Sequence, residues 1–544
     1  MTIERKKLRW NGWGWIDAPD VLGEHADAVW AWVGRTVGVH PLPHTPAVDL
    51  ADIALPPVRL DDAVREQVTR LVEPGRVKTD AFERAFHARG KSYLDTIQLR
   101  AGLIGAAPDA VVYPKTAGEC LAVVRFAAER RIAVIPFGGG SSVVGGVTAA
   151  ARADQQGAIT LDMTLMDQVL EIDEESLVAL AQAGIYGPAL EEQLQARGFT
   201  LGHYPQSFEF STLGGWIAPR GAGHQSNRYG KAEEWLVAAT LATPGGLWRT
   251  QGFPGSAAGP QMRDLVAGSE GVLGVITDAV VKIRRAPEVK DYRGYLFLDF
   301  AAAAGAVRDL MQRDVPTAMI RLSDPDETYF YAALKTAGEG MDPSLRLSIM
   351  LVGLEGECAE VEHALARSRA VIEQHGGVHM GEELGQTWYR GRFETPYLRD
   401  PILDHGLAVD TLETCTSWSH LPRLHEAVGR AIRDAMAANA AGPGTRGICM
   451  AHISHCYRDG ASLYFTFVYP RDSRDPVAQW WAIKRSASEA ILANGGTISH
   501  HHGVGTDHRE WYEREIGPAT LKALRAAKNA IDPGGILNPG KLLP

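Results

Sequence analysis

Cysteine is scarce: five residues in 544, at Cys120, Cys358, Cys415, Cys449 and Cys456. None has CxxC spacing and the count is odd, which argues against a disulfide framework or a thiolate zinc site. No apolar run reaches the ~18–20 residues needed to span a bilayer. Positive charge is not in excess. Lys plus Arg number 55 against 65 Asp plus Glu, a net charge of −10, so general nucleic-acid binding is not expected. The opening MTIERKKLRWNGWGW carries charge with no apolar stretch behind it, so a secretory leader is not expected. The closing KLLP is not a peroxisomal signal. A cytoplasmic setting, with contact at a membrane surface allowed, is the expectation.

What is abundant is glycine, 58 residues beside 30 prolines, and it is clustered. With 45% apolar and 22% charged residues, the chain reads as globular and long enough for several domains. Residues 1–100 read as mostly helical, with Asp61–Val72 amphipathic. From about 101 to 288 the rhythm is strand, loop and helix. Thr116-Ala-Gly-Glu119 reads as a capping box opening a helix, followed by a buried strand at Ile132–Pro136. Thr243-Pro-Gly-Gly246 reads as a hairpin turn. From 289 to 495, strand, helix and strand units at 292–322 and 345–381, then a strand at 461–469 and a helix at 480–493, suggest an α+β cap. Residues 496–544 form a last loop and a helical tail starting at Pro518.

Gly138-Gly139-Gly140-Ser141-Ser142, directly after a strand, suits the close approach of backbone N–H groups to a phosphate. It has neither the GxGxxG-into-helix context of a dinucleotide fold nor the GK[ST] of a P-loop, so a tight structural turn stays open on this loop alone. Three further segments follow in order: Ser211-Thr212-Leu213-Gly214-Gly215, Arg220-Gly221-Ala222-Gly223 and Gly268-Ser269-Glu270-Gly271. Together they suit a large dinucleotide held between two subdomains. Further on, His500-His501-His502 lie before Gly503, and Tyr464 shares a strand face with Thr466 and Val468, opposite Phe465 and Phe467. Three imidazoles are costly to bury without partners, and neighbours on an extended loop should diverge. A packed histidine cluster and a core tyrosine are the plainer alternatives.

The segments PFGGGSSV, SFEFSTLGGW and GSEGVLGVIT, with GHYP at 202–205, NRYG at 227–230, IRL at 320–322 and SHHHGVG at 499–505, resemble the vanillyl-alcohol-oxidase/p-cresol-methylhydroxylase flavoproteins. Within them the chain resembles the alkylglycerone-phosphate synthase (alkyl-dihydroxyacetone-phosphate synthase) family over nearly its whole length. The resemblance implies a two-subdomain PCMH-type FAD-binding domain and an α+β cap with an antiparallel sheet, after a helical N-terminal segment. It implies FAD held by Pro136, Phe137, Gly138, Gly139, Gly140, Ser141 and Ser142. The second contact segment is Gln206, Ser207, Phe208, Glu209, Phe210, Ser211 and Thr212. The third is Pro219, Arg220, Gly221 and Ala222, and the fourth is Glu270, Gly271, Val272, Leu273, Gly274, Val275 and Ile276. No residue stands in a flavin-linkage context, so FAD is expected to be noncovalent. The resemblance further implies proton transfer by Tyr464, His500, His501 and His502, with His203 as a pocket base or a turn residue. Arg399 is implied to hold a substrate phosphate, against a plainer salt bridge with Asp400 or Asp404. Arg321 is a second substrate candidate, or one half of a buried ion pair.

His452 and His455 have weakly metal-like spacing, and no metal is expected. The implied activity exchanges the acyl group of an acyl-dihydroxyacetone phosphate for a fatty alcohol without net redox, on a small-molecule or lipid substrate, in a homodimer. The alternatives are an FAD-linked dehydrogenase or oxidase of a 2-hydroxy acid or small alcohol, and a flavin-binding interaction module.

Overall fold

The computed structural model describes residues 3–340, 342 and 344–543. Its strands in chain order are β1 (Val77–Lys78), β2 (Ala110–Val112), β3 (Ala133–Phe137), β4 (Ala158–Asp162), β5 (Val169–Asp173), β6 (Val178–Gln182), β7 (Phe199–Thr200), β8 (Leu236–Thr243) and β9 (Gly246–Arg249). Then come β10 (Val275–Lys282), β11 (Arg284–Arg285), β12 (Val289–Phe297), β13 (Met319–Ser323), β14 (Ser348–Gly356), β15 (Val378–His379), β16 (Leu407–Ser417), β17 (Ile448–Cys456) and β18 (Gly460–Pro470).

Three principal sheets organise the chain. The first, in order β1-β2-β4-β3, is parallel through β2, β4 and β3. Those strands are almost wholly buried and read as continuous apolar runs, as parallel strands covered on both faces do. The second, β5-β6-β10-β8-β9, is antiparallel and contains the expected hairpin, Thr243 facing Gly246. The third is a seven-stranded antiparallel sheet, β15-β12-β14-β13-β17-β18-β16. The architecture is α+β, as the composition of segments suggests.

Helix starts follow from their caps. Thr116 accepts from Glu119 N at 3.1 Å, but the returning Glu119 carboxylate takes Lys115 N at 2.8 Å, one residue earlier than an ideal capping box. Asp61 caps Asp62–Leu71 by accepting from Val64 N at 2.8 Å. The last helix begins at Arg509, earlier than Pro518; Gly517, at φ 72°, breaks it and Pro518 restarts it.

The seven-stranded sheet has two unlike faces. Phe465, Phe467, Ala451, Ile453 and Leu463 point into the largest core, against the helices Phe300–Gln312, Cys358–Gln374, Leu421–Ala438 and Pro476–Ala493. The alternate residues Tyr464, Thr466 and His452 point the other way. Exact pairing aligns Glu413 with Tyr464 and Tyr464 with His452, so one row of polar side chains crosses β16, β18 and β17. One end of this face is covered by Val29, Trp32 and Ala333 packed on Leu407, Met450 and Val468. The His500–His502 loop lies over the polar row.

Candidate active site

The glycine loop leaves β3 at Phe137 and folds against the 206–212 segment. A Cβ on Gly139 would lie 1.6 Å from Phe210 O, and one on Gly138 2.2 Å from Thr212 Oγ1. Only glycine permits this approach, and Gly140 adds a φ of 71°. The carbonyls are used on the protein side: Arg5 Nη2 donates to Gly138 O at 2.8 Å and Lys91 N to Ser142 O at 2.6 Å. Among the described residues, none of the backbone N–H groups of 138–142 donates to the protein. A row of free N–H groups where no Cβ intrudes fits a diphosphate, so the residues present fit the FAD that the sequence implies. Beneath the loop, Arg5 pairs with Asp162 at 2.5 Å, and His87 Nε2 meets the same carboxylate at 2.8 Å. Burial pushes Asp162 up, but Arg5 and His87 outweigh it and hold the carboxyl below its usual range.

The other three segments converge here. A Cβ on Gly271 would touch the Pro136 ring at 2.9 Å, which places 270–276 beside the loop, with Val275 and Ile276 opening β10. Val272 and Leu273 are buried with Val504, and Gly274, at φ 158°, fits against Leu241. Thr212 caps Leu213–Ile217, and Ser211 accepts from Trp216 Nε1 at 2.7 Å and donates to Ser207 O. Phe208 and Phe210 are buried. Gln206 reaches across to the cap, donating to Arg392 O at 2.6 Å. Burial, with Glu394 nearby, raises the Glu209 carboxyl. Arg220 stands at φ 59° and 3.4 Å from Glu233, Ala222 is buried, and Gly221 faces His203. A Cβ on Gly503 would come within 3.0 Å of Pro219 Cβ. Glu270 turns its carboxylate to the histidine loop, accepting from Val504 N at 2.6 Å and Gly505 N at 2.7 Å. Burial raises it to about 7.

The three histidines diverge. His500 turns to Tyr457, its Nε2 2.5 Å from the phenol oxygen, and stacks on His455. His501 stacks on Tyr464 at 6.0 Å, and His502 meets the same ring edge-on at 5.5 Å. His452 stacks on Tyr464 from the neighbouring strand at 4.9 Å. A register shift between Ile453 and Cys456 brings His455 to the histidine loop as well. His455, His500 and His501 each bring a ring nitrogen within 4.8 Å of the others, and Lys231, donating to His500 O at 2.7 Å, sets a positive charge beside them. Burial drives both His500 and His455 well below the usual histidine range, followed by this lysine and the other rings for His500 and by His501 and then the lysine for His455. Burial and His502 do the same to His501. His502 is lowered by burial, with Glu413 opposing. Burial raises the Tyr464 phenol above its ordinary value, with Glu413 and Asp410 adding to the shift. The resting tyrosine therefore holds its proton, and the imidazoles beside it are neutral acceptors.

His203 is caught between Trp216 and Trp235, with ring centroids at 4.8 and 5.2 Å, and accepts from Trp235 Nε1 at 3.3 Å. Its Nε2 is buried without a partner, and burial depresses its pKa to about 3. Arg321 donates to Glu327 at 2.9 Å and lies 3.1 Å from His452, while His452 Nδ1 meets the same carboxylate at 2.8 Å. Burial would raise Glu327, but Arg321 and His452 hold it at about 2. Arg321 is thus half of a buried ion pair that orients His452.

Arg399 differs. Asp400 pairs with Arg9 and Arg100 and accepts from Trp13 N, while Asp404 pairs with Arg100. Among the described residues, no carboxylate forms an ion pair with Arg399, which donates only to Lys91 O. Burial lowers its pKa against the opposing charges of Asp410, Asp400 and Asp95, and Tyr464 lies within electrostatic reach as well. Lys91, displaced to about 8 chiefly by burial, sits beside it.

Sequence reasoning missed Glu413, Lys231, Glu327, Tyr457 and Lys91. A lone carboxylate in the otherwise uncharged run Thr411-Leu412-Glu413-Thr414-Cys415 was the one local hint of Glu413. A cavity of about 370 Å³ around Asp324 and His425 and another of about 620 Å³ around Trp481 and Asp507 are lined by none of Glu413, Tyr464, His452 or the three loop histidines.

The family model described as "FAD binding domain" matches residues 108–251, and "FAD linked oxidases, C-terminal domain" matches 286–542. An alkyldihydroxyacetonephosphate synthase of Trypanosoma brucei brucei is 34% identical over 90% of this chain and 82% of that protein. A solved structure of an alkyldihydroxyacetonephosphate synthase superposes with a TM-score of 0.84 at 30% identity, covering 98% of each chain. A crystal structure of p-cresol methylhydroxylase shares the fold, with a TM-score of 0.68 at 15% identity over 88% of this chain and 96% of that one. FAD is the cofactor that these matches and the free N–H row support together. The chain belongs to the alkyldihydroxyacetonephosphate synthase family.

Proposed function

We propose that this protein exchanges the acyl group of an acyl-dihydroxyacetone phosphate for a long-chain alcohol, giving an ether without net oxidation. The bond from substrate C1 to the acyl oxygen breaks, the alcohol oxygen bonds C1, and the alcohol's proton leaves with the fatty acid. FAD, when bound, supplies the electron-rich centre that makes C1 exchangeable. The chain supplies the rest. The N–H row of 138–142, with the segments at 206–212, 219–222 and 270–276, would hold the cofactor noncovalently. Tyr464 donates a proton, and neutral His501 and His502 accept one. His500 is tied to Tyr457 and supports the loop. His203 presents its unpartnered Nε2 toward Gly221. Arg399 is the phosphate partner, because no carboxylate forms an ion pair with its fork among the described residues.

The observation that carries this reading is a protonated tyrosine framed by three neutral imidazoles, with Arg399, which forms no ion pair with a carboxylate among the described residues, within electrostatic reach of it. No helix among the described residues is long and apolar enough to cross a membrane. We take the lipid substrate to be met at a membrane surface from the cytoplasm by a homodimer. The test is direct: supply acyl-dihydroxyacetone phosphate with a labelled fatty alcohol and follow the label. Labelled ether with release of fatty acid is expected. Anaerobic bleaching of the flavin by 2-hydroxy acids, with no ether formed, would instead make the protein a dehydrogenase.

A further inference from the structure

Glu413 is nearly inaccessible, yet it is ringed by donors. Its two oxygens accept from Ser499 Oγ at 2.7 Å, His501 N at 3.2 Å, His502 N at 2.8 Å and also from His500 N. It stands 3.6 Å from Nδ1 of both His501 and His502. On the sheet it is the direct cross-strand partner of Tyr464. One carboxylate therefore touches every part of the proton-transfer group: the loop's backbone, two of its rings and the strand position of the phenol. A buried carboxylate is costly unless its lone pairs are filled. Here they are filled by consecutive N–H groups of a loop that forms no strand of its own.

We infer that Glu413 is the positioning residue of the catalytic loop: it gathers the N–H groups of His500–His502 so that His501 and His502 are presented to Tyr464, and it faces the positive charge that arises when either ring accepts a proton. The catalytic half of this inference rests on the proposed function; the positional half does not. The loop is clasped a second time from the flavin side, where Glu270 takes the next two N–H groups, Val504 and Gly505. The histidines are thus suspended between a cap carboxylate and a flavin-segment carboxylate, and only the cap carboxylate reaches the rings.

Glu413→Gln keeps shape but places an NH2 among N–H donors, so it cannot fill the same role. Glu413→Asp keeps the charge and draws it back by one methylene. Hydrogen exchange on purified, flavin-loaded protein is read first. In the Gln variant the amides of 500–502 should exchange about tenfold faster or more, with β18 unchanged. Turnover on the substrate that the parent accepts should fall by about 10²-fold with KM within about threefold, the mark of an interaction used in the transition state. The Asp variant should recover part of kcat. Glu413→Gln combined with His502→Ala should be no slower than His502→Ala alone, because the two act as one unit.

Unchanged exchange at 500–502, or additive losses in the double variant, overturns the inference. Flavin loss and faster exchange throughout the chain would make Glu413 a plain core residue. If the Gln variant does not fold, the Asp variant carries the exchange and kcat measurements. The exchange result needs no substrate, so a parent that forms no ether sinks the proposed function and leaves the positional claim to stand or fall by itself.

Discussion

At the residue scale, the site works by contrasts of charge state. The phenol of Tyr464 is pushed up by burial while the rings around it are pushed down, so a protonated phenol packs against neutral imidazoles at rest. Tyr464→Phe removes one hydroxyl and leaves the stacking on His452 and His501. Turnover should drop about 10²-fold, the usual scale for an acid–base group, with flavin content unchanged. Near-normal turnover would return Tyr464 to the role of a packing aromatic. Arg399 offers a sharper contrast with Arg321, whose charge Glu327 already matches. Arg399→Lys keeps the charge and loses the fork, so KM for the phosphorylated substrate should rise roughly tenfold or more while the protein stays folded and yellow. A colourless or unfolded variant would show that the hydrogen bond to Lys91 O, and not a ligand, is what Arg399 serves.

At the element scale, the glycine loop is the most tightly specified piece of chain. A Cβ at 139 would overlap Phe210 O, so Gly139→Ala must move either this loop or the 206–212 segment. It should cost about 1–3 kcal/mol, as overpacking does, and yield protein without FAD. FAD recovered in the supernatant of denatured parent protein checks the noncovalent claim at the same time; colour retained on the polypeptide, or an alanine variant that keeps full flavin, would contradict this account. The loop was legible in the sequence because its demand is local: a strand, then glycines with no alternative use. The alternation of Tyr464 with Phe465 was legible for the same reason. The pairing that places Glu413 and His452 on either side of Tyr464 was not, since it joins strands some 50 residues apart in one case and across a bulge in the other. Strand β16 gives no alternating signal because Ala408, Cys415 and the threonines blur its two faces. The repeated strand–helix–strand rhythm was visible, but not that β14 inserts between β12 and β13. The N-terminal segment looked merely helical and polar; in the structure Arg5 lies under the flavin loop and Trp13 N is tied to Asp400 of the cap.

At the scale of the whole molecule, the buried titratable groups of the site set a limit on acid stability. Burial lowers His203 and His508 to about 3, and drives His224, His455, His500 and His501 well below the ordinary histidine value. His452 and His502 are lowered as well. In the unfolded chain these rings take protons near pH 6.5. Below that pH the unfolded state binds protons that the native state refuses, so stability falls as the pH falls, by about 1.4 kcal/mol per pH unit for each proton of difference. Glu270 and Asp507 act in the opposite sense. Both are raised to about 7, so between about pH 7 and 4.5 the native state binds protons that the unfolded state does not. Two carboxyls do not offset eight depressed histidines. Glu327, held at about 2, and Asp162, held below its usual range, add to the loss once their unfolded counterparts begin to protonate near pH 4. The melting temperature should therefore be nearly level from pH 8 to 7 and fall steeply from about 6.5 to 4.5. His203→Phe, which removes one depressed ring and its orphaned nitrogen while keeping an aromatic between Trp216 and Trp235, should make that fall shallower by about one proton. A thermal scan across this range with fixed ionic strength reads both slopes. A melting temperature that is flat down to pH 5, or a variant slope equal to the parent's, would mean that these rings take up protons in the native state and that the neutral acceptors assigned beside Tyr464 are charged.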